Sequence, residues 1–132
     1  MLERELIEDG FGFVVVALRT REGHPTLYDE FVQDELREDE QQKIDYAVRR
    51  MAHYGPPRNP EKGHPVTNHR NLYVLKEHQT RVFWFYTGEN LKGKGIIALT
   101  HGFRKKRDKP PPQEIQRAEN LKARYAEEFL TK

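Results

Sequence analysis

The sequence predicts an α+β fold in which helices cover one sheet. Three observations carry this prediction: a β-branched run at 12–20, two stretches of helical periodicity after it, and three short apolar runs at 72–76, 81–86 and 95–100. Strands that follow one another with short connections usually pair as antiparallel neighbours. The predicted order is therefore an N-terminal strand, a helix pair, a three-stranded antiparallel meander that completes one sheet, and a C-terminal helix.

The first half of the chain contains the first strand and the helix pair. Residues 12–20 are rich in valine, which is typical of a strand. Apolar residues then recur at helical spacing over 27–36 and again over 44–51, which predicts two amphipathic helices. Residues 37–39 are too polar for the core and are interpreted as a bend. Gly55 and the two prolines after it end the second helix, because glycine caps helices and proline breaks them.

The second half contains the meander and the last helix. Residues 56–70 hold Pro, Gly, His and Asn throughout and are predicted to form a loop. A turn at 77–79 joins the first two strands of the meander, and a Gly-containing turn at 87–94 joins the last two. The last helix is expected to begin near Pro111, because a proline ring is tolerated in the first turn.

Composition limits the class of protein. A chain of 132 residues can build one core, so we expect a single domain over 1–132. The absence of cysteine excludes disulfides, thiolate catalysis and cysteine-ligated zinc. The acidic segment 2–9 lacks the order of a signal peptide, and the longest purely apolar run, 13–18, is far shorter than a membrane span. These features predict a soluble, cytoplasmic protein with no membrane partner.

The charge is distributed unevenly along the chain. Residues 1–66 have a net charge of −5 and residues 67–132 a net charge of +7, within a total of +2. Five of the six residues from Arg104 to Lys109 are positive. Because this cluster directly follows a predicted buried strand, its charge is held on a rigid support. Such a site suits a polyanion, most simply a nucleic-acid backbone.

Four segments, together with the order of elements, resemble a known family. They are Gly23-x-Pro25 before Tyr28-Asp-Glu-Phe31, Asn71-Leu-Tyr-Val-Leu-Lys76, Arg81-Val-Phe-Trp-Phe85, and His101-Gly-Phe-Arg-Lys-Lys106. In these segments the chain is similar to the RelE/HigB superfamily of type II toxin–antitoxin toxins. Within that superfamily it most resembles the phage-derived HigB-like branch. The resemblance spans about residues 12–130. Residues 1–10 have no counterpart in it and are a candidate for a poorly ordered segment.

The resemblance implies a toxin that cuts messenger RNA, commonly on the ribosome. In this family the 2′-OH of the RNA attacks the adjacent phosphate and leaves a 2′,3′-cyclic phosphate, and neither a metal nor a cofactor takes part. The implied partners are the messenger RNA, the ribosome and a cognate antitoxin, expected to be a helix-turn-helix protein.

Such a reaction needs an acid, a base and cations on the transition state. Lys76 and Arg81 flank the same turn, and His101 and Arg104 come where the neighbouring strand is predicted to end. We expect these four residues to be catalytic, with Arg81 and Arg104 binding phosphate and His101 transferring a proton. Further residues expected to bind RNA or phosphate are Lys105, Lys106, Arg107, Phe103 and His78.

A structural alternative stays open for the two central candidates. His101 equally fits a strand-end histidine that bonds a backbone carbonyl, and Arg81 fits an ion pair with an acidic residue on a helix. His53, His64 and His69 show no ligand spacing of the HExxH kind, so no metal site is predicted.

Departures from the family pattern leave the function open as well. Val74 occupies a strand position where many superfamily members have a polar residue, and no tyrosine closely follows the basic cluster. One alternative is a ParE-like toxin that acts on gyrase by protein contact. Another is an inactive phage-derived protein that only regulates or binds a partner.

Overall fold

Within residues 1–106 and 110–131, which a computed structural model describes, the chain forms one mixed sheet and three helices. The strands are β1 (Glu3–Asp9), β2 (Phe13–Arg19), β3 (Gly63–Pro65), β4 (Tyr73–Glu77), β5 (Thr80–Leu91) and β6 (Lys94–Arg104). The helices are α1 (Leu27–Glu35), α2 (Glu38–Tyr54) and α3 (Pro112–Tyr125), and a π-helical turn, Ala126–Leu130, follows α3. The predicted α+β class is confirmed.

The sheet has six strands in the order β1-β2-β6-β5-β4-β3. Strands β4, β5 and β6 pair as consecutive antiparallel neighbours, so the predicted meander is confirmed. The N-terminal strand β2 completes the sheet by pairing parallel to β6. The edge strands β1 and β3 pair antiparallel to β2 and β4.

Helices cover both faces of the sheet, because alternate strand residues point to opposite sides. One face packs against α1 and α2, where Ile44, Val48 and Met51 meet Val15 and Trp84. We call this the α2 face. The other face, the α3 face, packs against α3 through residues such as Ala118, Leu121 and Tyr125. None of the helices described is long and apolar enough to cross a membrane.

The second helix begins earlier than predicted and ends as predicted. Arg37 is its N-cap, and the Glu40 side chain accepts the Arg37 backbone N–H at 3.0 Å, so the predicted bend at 37–39 is limited to its first residue. Gly55 ends the helix with φ of 84°, a left-handed value that favours glycine, and its N–H donates to the Met51 carbonyl at 2.9 Å.

Both edge strands lie where no strand was predicted. Residues 1–10, suggested above as a poorly ordered segment, contain β1: Glu3–Asp9 pairs along β2, and Leu2 is buried. The expected loop at 56–70 contains β3, which pairs with β4. The long hairpin also extends further than predicted. Because β6 runs to Arg104, His101 lies inside a strand and not after its end.

Candidate functional site

A small cleft lies on the α3 face where β4, β5 and β6 end. Its walls include three cations, Lys76, Arg81 and Lys105, and its apolar floor is formed by Val74 and Phe103. The strand register brings these residues together. Arg81 is the partner of Lys76 on one side and of Phe103 on the other, and the Lys105 N–H donates to the Gln79 carbonyl at 2.7 Å. We call this hollow of about 80 Å³ the cation cleft.

Arg81 is the most enclosed cation of the cleft. Its side chain is almost fully buried, with 8% of the residue exposed, and burial lowers the pKa of its guanidinium. Its Nη1 donates to the carbonyls of His78 at 2.5 Å and Thr80 at 3.0 Å, which orients the group. A guanidinium has five N–H donors in a planar fork. The donors that these carbonyls do not use can bind an anion in the cleft.

Lys76 lies beside Arg81 in a strongly positive environment. Its pKa is lowered, first by burial and then by the charges of Arg81 and Lys105, against a smaller opposite effect of Glu61. Its Nζ donates to the Pro60 carbonyl at 3.2 Å. An anion in the cleft would offset this repulsion among the three cations.

The acidic groups nearest this end of the sheet are paired elsewhere. Glu77 contacts Lys62 at 3.3 Å, and Glu40 contacts Arg104 at 2.8 Å. Among residues 1–106 and 110–131, no carboxylate lies within 4.0 Å of the charged nitrogens of Lys76, Arg81 or Lys105. Within the described residues the cleft therefore contains no ion pair, and its positive charge is opposed only in part, by the smaller effect of Glu61 on Lys76.

His101, which was predicted to be catalytic, does not lie in the cleft. Its ring is 1% exposed and is covered by α3. Nε2 lies 3.1 Å from Oε1 of Glu114, and because a carboxylate only accepts, Nε2 carries the proton. Burial, followed by the nearby Arg117 charge, lowers the pKa of His101 to about 3. The ring is thus neutral at neutral pH and buried beneath α3.

Arg104, which was predicted to be catalytic, and His78, which was predicted to bind RNA, lie on the α2 face, away from the cleft. Arg104 follows Phe103 on β6, so its side chain points to the opposite side of the sheet. Its Nη1 donates to Oε1 of Glu40 at 2.8 Å, and this bond is the largest cause that lowers the pKa of Glu40 to about 2. His78 has a φ of 53° in the β4–β5 turn, and its side chain is 71% exposed.

The remaining residues that were predicted to bind RNA lie in different surroundings. Phe103 lines the cleft, but its ring stacks on Phe83 with 5.2 Å between centroids, so little of it faces a ligand. Lys106 is exposed after the end of β6. Arg107 lies outside the described residues.

His64 is a cleft residue that the sequence analysis missed. It lies on the edge strand β3 as the partner of Val74, and its exposed ring lines the cleft opposite Arg81 and Lys105. Its Nδ1 is 2.8 Å from the Pro65 carbonyl. The sequence offered no clear signal, because a strand of three residues with a proline reads as loop. Within the described residues, no group of three or more His, Asp or Glu side chains could hold a metal ion.

Comparisons with known proteins point to one family. The family model described as "Phage derived protein Gp49-like (DUF891)" matches residues 32–123, more than two thirds of the chain. This match contains every residue that lines the cation cleft. No curated protein matches the chain.

Proposed function

The chain belongs to the Gp49-like family of phage-derived proteins, within the RelE/HigB-like toxin superfamily, and on this premise we propose that it is an RNA-cleaving toxin. The specific proposal is the toxin of a type II toxin–antitoxin system, of the HigB-like branch. It would act in the cytoplasm as a metal-free endoribonuclease on messenger RNA held by the ribosome, and a helix-turn-helix antitoxin would silence it.

One observation carries this proposal: the cation cleft. Three positive side chains meet there over an apolar floor, and no described carboxylate forms an ion pair with them. Phosphate is the anion that such a site fits best, because guanidinium pairs bidentately with its oxygens and lysine adds point charges. A single-stranded RNA supplies phosphates on a flexible backbone that can enter a small cleft.

The proposed reaction forms one P–O bond and breaks another. The 2′-oxygen attacks the adjacent phosphorus, the bond to the 5′-oxygen breaks, and a 2′,3′-cyclic phosphate and a 5′-OH result. Arg81 and Lys105 bind the non-bridging oxygens, where charge grows in the transition state. Lys76 protonates the leaving 5′-oxygen, because its lowered pKa makes it a stronger acid than an ordinary lysine. His64, the imidazole on the cleft wall, accepts the proton of the 2′-OH.

The test is growth arrest on induction, with primer extension on a reporter messenger. Wild type is expected to arrest growth and to produce discrete cuts. Lys76→Ala, Lys105→Ala and Arg81→Lys are expected to lower cleavage about 10²- to 10³-fold, as loss of one transition-state donor does. Arg104→Ala is the matched control, because it removes a cation at the same end of the sheet but on the α2 face.

A second function is favoured by one observation, the burial of His101. Without an imidazole at the predicted position, the fold could serve a non-catalytic protein, either a ParE-like gyrase toxin or an inactive binding protein. The same experiment separates these cases. Arrest without messenger cuts would indicate a protein target, and the absence of arrest would indicate an inactive protein.

A further inference from the structure

A second hollow adjoins the cation cleft around the edge of the sheet. Its volume is about 240 Å³, and it shares two lining residues, His64 and Val74, with the cleft. The sheet ends at the three-residue edge strand β3, so only this short strand separates the two hollows at the edge of the sheet. We call the second one the aromatic hollow.

Three aromatic side chains form its inner wall. Tyr73 on β4 stacks on its register partner Trp84 on β5, with 4.4 Å between ring centroids and 16° between ring planes. Tyr86 meets both rings edge-on, at 5.4 Å and 5.0 Å. Trp84 is buried, whereas Tyr73 and Tyr86 are half-buried. Tyr73 lines the hollow and is half-buried, so part of its ring is accessible to a ligand.

A proline-containing loop forms the outer wall. Pro57 packs closely on β3, because a Cβ added at Gly63 would lie 2.9 Å from its Cγ. Arg58, the next residue, is exposed and also lines the hollow. The hollow is thus lined by aromatic rings, prolines and one exposed cation. Its volume is below the ~300–1,000 Å³ of pockets for drug-sized ligands, so it suits a single small ring system.

We propose that the aromatic hollow holds the base of a nucleotide next to the phosphate bound in the cation cleft. This inference rests on the proposed function and adds to it the site that reads the substrate. Proteins bind single-stranded nucleic acids through a positive groove that follows the backbone and aromatic rings on which bases stack. Here the cation cleft lies on the α3 face and the aromatic hollow on the α2 face, on either side of the edge strand β3, and His64 and Val74 line both. Arg58 would contact the phosphate beyond the bound base.

Trp84 makes this inference measurable, because it is the only tryptophan of the chain and lines the hollow. The probes are RNA dinucleotides blocked by 2′-O-methylation, which bind without being cut, together with an abasic analogue of equal charge. The base-containing probes are expected to quench Trp84 emission saturably. The abasic probe is expected to bind more weakly and to leave the emission unchanged.

Two variants and a matched control test the contact itself. Tyr73→Leu keeps an apolar side chain but removes the ring, and it is expected to weaken dinucleotide binding roughly 5- to 150-fold, the range of one base stack. Arg58→Ala changes only an exposed residue and is expected to weaken binding up to about fivefold. Tyr54→Leu removes an exposed tyrosine at the end of α2 and is expected to bind as wild type does.

The outcomes separate this inference from the proposed function. The first outcome is that wild type cleaves messenger, that dinucleotides do not quench Trp84 emission, and that Tyr73→Leu cleaves as wild type does. This outcome would overturn the base site and leave the ribonuclease proposal intact. Quenching without any cleavage would support an RNA-binding hollow and overturn the ribonuclease. Neither quenching nor cleavage would overturn both, and the hollow would then be open to a protein partner.

Discussion

Lys76 and Arg81 are register partners on neighbouring strands, and both side chains line the cation cleft. Like charges directly opposite each other destabilise an antiparallel pair. The chain places a third cation, Lys105, beside them. An arrangement that costs stability in the free protein and gains it when an anion binds is characteristic of a binding site.

Replacing Lys76 is therefore expected to raise the stability of the protein while it lowers messenger cleavage. The pKa of Lys76 is lowered in the folded protein by burial and by the charges of Arg81 and Lys105, so folding disfavours its charged form. Lys76→Met is expected to raise the free energy of unfolding by about 0.2–1 kcal/mol, the size of a cross-strand pair. Urea unfolding followed by Trp84 emission measures this. Above the folded pKa of Lys76 the gain should shrink, and a less stable variant at pH 7 would contradict the prediction.

His101 is expected to affect the pH dependence of stability but not messenger cleavage. Its pKa is about 3 in the folded state and near 6.5 in the unfolded chain, so the unfolded state binds more protons between these values. Stability is therefore lost as pH falls from about 6.5 to about 3, by up to about 1.4 kcal/mol for each pH unit. His101→Gln lacks this loss, so the difference in unfolding free energy between wild type and variant should shrink as pH falls.

The cleavage assay gives the second half of this test. His101→Gln is expected to keep cutting the reporter messenger, because the ring has no access to RNA. A loss of about 10²–10⁴-fold in a variant that remains folded would restore His101 as a proton-transfer group.

Arg104 and Glu40 are expected to form a stabilising pair without a part in RNA binding. The pKa of Glu40 is lowered to about 2, so the pair contributes stability above pH about 4.5 that is lost as pH falls towards 2. Arg104→Ala and Glu40→Gln should each lower Tm by a few degrees at pH 7. The double variant should be no worse than the single ones, because they break the same pair. If Arg104→Ala loses cleavage while Glu40→Gln keeps it, Arg104 belongs to the catalytic site after all.

Gly102 is expected to be required for packing on the strand that supports the cleft. A Cβ at this position would lie 2.2 Å from Cδ2 of the buried Phe31 ring. Gly102→Ala should lower the free energy of unfolding by about 1–3 kcal/mol, as overpacking of a core does. Gly95→Ala, on the same strand, is the matched control, because its Cβ would meet Phe13 only at 3.5 Å. Equal unfolding free energies for the two variants would contradict the packing at Gly102.

RNA binding is expected to depend on salt according to the number of phosphates that the protein binds. Each phosphate contact to a single strand changes the slope of log K against log salt by about −0.7, so one phosphate in the cation cleft and one at Arg58 predict a slope of about −1.4. Arg58→Ala should reduce the slope to about −0.7. Fluorescence titration with a 2′-O-methyl RNA at several salt concentrations measures the slope. Arg104→Ala should leave the slope unchanged, and an equal reduction in both variants would show that the slope depends on total charge and not on the position of the cation.

Much of the fold was predictable, because its strongest signals are local. The valine run of β2, the helical stripes of α1 and α2 and the short turns of the meander each lie within a few residues of one another. The edge strand β1 has no such signal. It is rich in charge, and cross-strand ion pairs hold it, with Arg19 contacting Glu3 at 2.9 Å and Glu5 at 3.0 Å. Ion pairs of this kind need a partner that only the folded chain supplies.

The site was predictable in part for the same reason. The turn after β4 is short enough that Lys76 and Arg81 were expected at one rim of the sheet, and both line the cleft. Which residue of the basic cluster joins them depends on register. Arg81 faces Phe103, so Lys105 shares its side of the sheet and Arg104 does not. A shift of one residue would exchange these two cations.

The sequence by itself thus determined the α+β class, the meander and the positive charge at its end, because periodicity and turn composition are properties of neighbouring residues. Only the tertiary structure decided which cations meet, that α3 covers His101, and that His64 on β3 completes the cleft. Strand register and helix placement are set by packing between distant segments. For this reason the sequence indicated the chemistry of the site, and the fold selected the residues that form it.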